Sequence, residues 1–272
     1  MVAGLPDLLF SESKQGYNSL DFRNELTEQL TKTDLELAKT LYLAYDNKNL
    51  LNILFEQNKS FNLLGNYKKD FLENQITEPV NIPNYMIRFI KWAKNQETNE
   101  INLQIENKLH SLYFEQIITT GNNFLNQWFK FELNTKNILT AFNCVQFNYS
   151  IEKHLIQVTQ NNTMYSLLLN KHLKPELFEE DLPFAHQIFR IAELNISPEE
   201  REKVIDKIKW DYLDEQTFFH YFTVEKILSY IIKIGIIERW MKLDAETGKA
   251  LLDKLINELK HSYTFPEEFS TV

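Results

Sequence analysis

One short pattern occurs twice in this chain: Asp46-Asn47-Lys48-Asn49-Leu50-Leu51 and Asn134-Thr135-Lys136-Asn137-Ile138-Leu139 both read [Asp/Asn]-x-Lys-Asn-[Leu/Ile]-Leu. Each copy follows a stretch rich in aromatic and aliphatic residues, Leu41-Tyr42-Leu43-Ala44-Tyr45 and Trp128-Phe129-Lys130-Phe131-Glu132-Leu133. Recurrence at long spacing constrains a fold more than any single element, because a repeated unit buries its apolar face against a neighbour of its own kind. The pattern points to a pseudo-symmetric helical scaffold and not to an active site. The chain is rich in Asn, Lys and Leu, so composition alone can also produce a six-residue match.

Only 6 Gly and 7 Pro occur in 272 residues, too few for the many tight corners of a sandwich or barrel. The fold class expected is all-α, with long helices and few connections. A formal net charge of −9 disfavours general nucleic-acid binding, which draws its affinity from Lys and Arg displacing counterions. The single Cys144, within Ala141-Phe142-Asn143-Cys144-Val145, reads as a small core hydrophobe, and no disulfide framework is possible. No charged segment precedes a long apolar stretch at the start, so no signal peptide is visible. Without one, the glycosylation-type triplet Asn161-Asn162-Thr163 carries no meaning. The most apolar window, Val224 to Ile237, is interrupted by Glu225, Lys226 and Lys233 and reads as a buried helix instead of a membrane span. A cytoplasmic location is expected.

Helical spacing predicts helices over 20–30 and 34–45, the second opened by a capping box of Thr33 and Glu36. The motif copies then read as helix starts, with Asp46 capping the run Leu50, Leu51, Leu54 and Phe55, and Asn134 capping Ile138, Leu139 and Phe142. The stretch 58–83, broken by Gly65, Pro79 and Pro83, is expected to be connecting structure with one short helix. Further helices are expected over 84–92 and 101–118 and, past a stop at Gly121, through Phe124, Leu125 and Trp128. Ser197-Pro198-Glu199-Glu200 is the clearest start in the chain, opening a helix to Asp214. Residues 173–194, with Pro175 and Pro183, should bend around the surface between helical turns. A final amphipathic helix carries Leu251, Leu252, Leu255, Ile256 and Leu259, and the tail 261–272 reads as mobile. The organisation expected is three helical units, 1–80, 81–175 and 176–272, with the C-terminal helices able to pack back on the first.

No Gly-x-x-x-x-Gly-Lys-[Ser/Thr] loop and no Gly-x-Gly-x-x-Gly fingerprint occurs, which excludes nucleotide binding through either device. His110, His154, His172, His186, His220 and His261 show no spacing of three or four, so no helix presents a paired metal site. Glu179-Glu180-Asp181 and Glu199-Glu200 read as solvated or helix-start charge. No cofactor, metal or catalytic residue is expected.

Taken together these segments resemble the C subunit of archaeal-type and bacterial V-type ATP synthases, the equivalent of the d subunit of vacuolar ATPases. That family carries, in two of three related helical domains, a signature of the form [hydrophobic]-Asp-Ile-x-Asn-Leu-[Lys/Arg]-x-[Leu/Ile]. Tyr45 to Leu51 is similar to the first occurrence and Phe131 to Leu139 to the second. Phe222 to Tyr230 with Ile237-Glu238-Arg239-Trp240-Met241 resembles the long helix and degenerate motif of the third domain. The basic position after Asn-Leu is here Leu51 and Leu139, with Lys48 and Lys136 standing earlier, and Trp240 stands where Asn is expected. The opening Val2-Ala3-Gly4-Leu5-Pro6-Asp7-Leu8 also resembles a divergent bacterial family whose members look like that subunit.

The resemblance implies a pseudo-threefold, funnel-like collar of helical bundles with no catalysis of its own. Such a collar is a central-stalk rotor part of an ion-translocating ATPase, seated between the central-shaft subunits and the membrane proteolipid ring. It implies membrane association only through other subunits, a structural role for Asp46, Lys48, Asn49, Leu50, Asn134, Lys136, Asn137 and Ile138, and subunit contacts at Arg239 and Trp240. Two other readings stand beside it: a cytoplasmic helical-repeat adaptor, with helix pairs stacked in one direction, and an all-helical enzyme with a buried carboxylate site.

Overall fold

A computed structural model describes residues 1–10, 18–97 and 100–242. Among them are eleven α-helices and no strand: α1 (Ser19–Gln29), α2 (Lys32–Leu54), α3 (Lys69–Thr77), α4 (Asn84–Ala93), α5 (Leu103–Ile117), α6 (Asn123–Gln146), α7 (Ile151–His154), α8 (Asn162–Leu169), α9 (Ala185–Glu193), α10 (Pro198–Thr217) and α11 (Val224–Lys242). The expected all-α class is therefore found. The amphipathic stretch expected at 251–259 and the tail 261–272 lie outside the described residues.

Short polar side chains set the helix starts. Asn18, Asn102 and Asn122 each accept a first-turn amide with the side-chain oxygen, satisfying donors that have no partner within the helix. At α10 the capping box forms as its sequence indicates, Ser197 taking the amide of Glu200 while the Glu200 carboxylate returns to the Ser197 amide. The α2 start departs from expectation. Thr31, not Thr33, is the cap: its hydroxyl accepts from the Asp34 amide at 3.2 Å, and Glu36 instead pairs with Lys39.

The larger correction concerns the two motifs. Neither copy starts a helix, because α2 continues nine residues beyond the expected end at 45 and α6 already runs from Asn123. Asp46 and Asn134 lie in the middle of these helices and are buried. A short polar residue ahead of an apolar run has the composition of a cap whether or not the chain is already helical, so sequence pattern alone does not separate the two cases. Buried within a helix, such a side chain has no free amides of its own and must find partners elsewhere in the fold.

The order of elements repeats. A long helix, a short one, a helical hairpin and the next long helix follow as α2, α3, α4 with α5, then α6, and again as α6, α8, α9 with α10, then α11; the four-residue α7 is extra in the second pass. Within each pass the hairpin partners pack on one another, α4 on α5 and α9 on α10, and the second member leans on the following long helix, α5 on α6 and α10 on α11. α11 returns against α2. Residues 173–194, expected to bend over the surface, contain a 3-10 turn at Pro175–Leu177 and the regular helix α9, whose Ile188 and Phe189 are buried.

One large apolar core runs through these elements from Phe22 to Ile234 and crosses both expected unit boundaries, and a smaller cluster of Trp210, Ile236 and Ile237 joins α10 to α11. Cys144 is buried in the large core and unpaired. Close packing of this kind gives low compliance, since side chains in contact on all sides transmit displacement instead of absorbing it. No helix among the described residues is long and apolar enough to cross a membrane; the window 224–237 is part of α11.

Candidate functional site

The two motif copies occupy matching surroundings. In the first, the Asn49 amide donates to the Asn62 carbonyl at 2.9 Å and its oxygen accepts from the Asn62 amide at 2.8 Å. In the second, Asn137 donates to the Ile156 carbonyl at 2.8 Å and accepts from the Ile156 amide at 2.9 Å. Each asparagine thus acts as a surrogate peptide, closing both backbone groups of one loop residue that no helix or sheet can serve.

The first motif position has the same kind of partner in both copies. Asn66 donates its side-chain amide to Asp46 at 2.7 Å, and Asn161 donates its own to Asn134 at 2.6 Å. Asp46 also accepts the backbone amides of Asn66 and Tyr67, at 2.9 and 3.1 Å, whereas Asn134 uses its extra donor on the Asp181 carbonyl. Leu50 and Ile138 sit fully inside the core. The second position diverges, Asn47 accepting from the Tyr85 hydroxyl at 2.7 Å while the Thr135 hydroxyl is buried without a partner among the described residues.

Burial raises the Asp46 carboxyl to about 6, and the hydrogen bonds from Asn66 and Tyr67 hold it from rising further. A folded-state value above the unfolded 3.8 means that the fold binds this proton more tightly. The stability linked to it is fully present below the unfolded value and is lost as pH rises through about 6. Wild type should therefore gain stability relative to Asp46→Asn as pH falls from 7 towards 4, by up to about 2–3 kcal/mol. Urea titrations of both proteins across that window check it; a constant difference would show that the carboxyl does not titrate there.

Lys48 and Lys136, one from each motif, line one cavity of about 430 Å³ bounded by α2, α5, α6, α10 and α11. Its walls include Tyr42, Tyr113, Trp128 and Phe129, and Lys209, Arg239, Glu132, Asp206 and His110 also reach it. Lys209 pairs with Glu132 at 2.8 Å and Arg239 pairs with Asp206. Lys48 and Lys136 have no ion pair among the described residues. His110 is pushed down to about 4, first by burial and then by the charges of Lys136 and Lys48.

Arg239 and Trp240, expected as subunit contacts, both hold the buried Asp206 of α10 within this chain, the Trp240 ring nitrogen donating at 2.8 Å. A different surface offers itself to partners. The turn between α10 and α11 exposes Phe218, Phe219, Tyr221 and Phe222, the second and fourth of them 81% and 80% accessible. A cluster of solvated aromatics of this kind is the usual mark of a docking surface. Sequence reading passed over it because Phe218-Phe219-His220-Tyr221-Phe222 has the composition of a core segment. Among the described residues no group of three or more His, Cys, Asp or Glu side chains is placed to hold a metal ion.

Residues 1–263 match the family model described as protein of unknown function (DUF2764). No curated protein and no solved structure matches the chain.

Proposed function

The chain belongs to the DUF2764 family, and for it we propose the role of a non-catalytic rotor-collar subunit of a V-type or archaeal-type ion-translocating ATPase, coupling central-shaft subunits to the membrane proteolipid ring. The observation that carries the reading is the equivalence of the two motif copies: the same asparagine closes a loop in the same way on two long helices that border one cavity. Duplicated helical units, closed by the return of α11 to α2, suit a stiff coupler that passes torque without chemistry. That return also weighs against the adaptor reading, because helix pairs stacked in one direction leave first and last elements apart.

Reconstitution tests the role. The full chain should co-purify with shaft subunits or with the proteolipid ring from native membranes, and failure to bind either would remove the proposal. The aromatic turn is the surface expected to carry one of these contacts. Phe219→Ser with Phe222→Ser should leave stability within about 0.5 kcal/mol, since both rings are exposed, yet reduce retention on the complex by more than about tenfold. Unchanged retention of the folded double variant would move the contact elsewhere.

A further inference from the structure

We infer that the cavity bordered by α2, α5, α6, α10 and α11 is a binding site for a compact polyanion of the phosphate class. This goes beyond the rotor role and does not depend on it. The volume of about 430 Å³ is within the range of small-molecule pockets, and the mixture of apolar wall with a few charged groups is their usual make-up.

The charge pattern is what selects the ligand. The protein carries a formal charge of −9, yet four cations and only two carboxylates line this cavity; Glu132 pairs with Lys209 and Asp206 with Arg239, while Asp206 Oδ1 is buried without a hydrogen-bond partner among the described residues. Lys48 and Lys136 are left over, presented by two rigid helices at the same motif position. Glu132 and Glu106 attract Lys136 from a distance without contacting it, and Lys209 and Lys48 repel it. Both lysines act on the ring of His110, so the three groups share one region of space. The buried Tyr42 hydroxyl, on the same wall, has no hydrogen-bond partner among the described residues.

Lys48 and Lys136 are solvent-exposed at the rim of the cavity, and their like charges repel one another there. A multivalent anion relieves the repulsion. Lysine ammonium groups serve phosphate oxygens as compact point charges, and His110, kept neutral first by burial and then by its two cationic neighbours, can take up a proton once an anion offsets them.

The test uses the full chain at low ionic strength with inorganic pyrophosphate, followed by calorimetry and by the His110 ring resonances. Binding should be saturable and weakened by salt, and the His110 pKa should move upward from about 4 when pyrophosphate is present. Lys48→Gln and Lys136→Gln should each weaken binding by about tenfold, while Lys91→Gln on the exposed side of α4 leaves it unchanged. A parallel titration compares inorganic phosphate with phenyl phosphate. Tighter binding of the aryl ester assigns the site to phosphorylated organic compounds that use the apolar wall, and equal binding assigns it to free phosphate. Absence of heat together with an unmoved His110 signal in wild type would overturn the proposal, as would wild-type affinity in both lysine variants.

Discussion

Asn137→Ala should lower the stability of this chain by about 3 kcal/mol, well beyond the effect of removing an ordinary surface hydrogen bond. The side chain is the common partner of the Ile156 amide and carbonyl, and both residues are buried. Truncation leaves one donor and one acceptor in the interior without water to replace the lost contacts, at about 1–3 kcal/mol for each group. The equivalent change in the first copy is expected to be milder. Asn62 is partly accessible, so water can reach the groups that Asn49 releases, and Asn49→Ala should cost about 1–2 kcal/mol. Denaturant titration of the two variants side by side gives the comparison, and a loss below about 0.5 kcal/mol at Asn137 would show that the loop does not rely on the clamp. Asn137→Asp supplies a further control: it keeps the acceptor but turns a carboxylate towards the Ile156 carbonyl, so its deficit should be large at neutral pH and shrink on acidification.

The asparagine clamps also show how far the sequence could be read. The repeat itself was legible because five of six positions recur with their chemistry, and so was the all-helical class, from the shortage of Gly and Pro. The role of the first motif position was not. Asp46 and Asn134 stand before apolar runs, as caps do, while their actual partners, Asn66 in a loop and Asn161 in a 3-10 turn, lie at separations of 20 and 27 residues, which no periodicity marks. Asn161 even falls in a glycosylation-type triplet, a reading that drew attention from its amide. The cavity was hidden for a different reason: Lys48 and Lys136 are visibly equivalent in sequence, but their convergence depends on α5 leaning on α6 and α11 returning to α2. Such long-range packing has no local signature. Arg239 and Trp240 read in sequence as subunit contacts, and the fold adds a role within the chain that no local pattern marks, since both reach the buried Asp206 while Arg239 stays exposed.

The second large effect is expected from Gly65→Ala, in the loop that Asp46 holds. A methyl group placed there would meet the Asp46 carboxylate oxygen Oδ1 at 2.5 Å and the Asn49 amide nitrogen at 3.0 Å. Neither can withdraw freely. Oδ1 is held by the Tyr67 amide, Oδ2 by both nitrogens of Asn66, and Asn49 by the backbone of Asn62, so relief of the clash breaks the contacts that order the loop. Replacing glycine elsewhere stabilises by about 0.4–1 kcal/mol through the unfolded chain, and the clash must outweigh that gain. A net loss of about 2–3 kcal/mol is expected from overpacking with partial loss of the hydrogen bonds. The decisive measurement is a double-mutant cycle with Asp46→Ala. Removing the carboxylate opens the space that the new methyl group needs, so the two changes should be non-additive, with the double variant more stable than the sum predicts by at least about 1 kcal/mol. Strict additivity would mean that the glycine is required for some reason other than its approach to Asp46, and the first motif copy would then lose its role as the anchor of this loop.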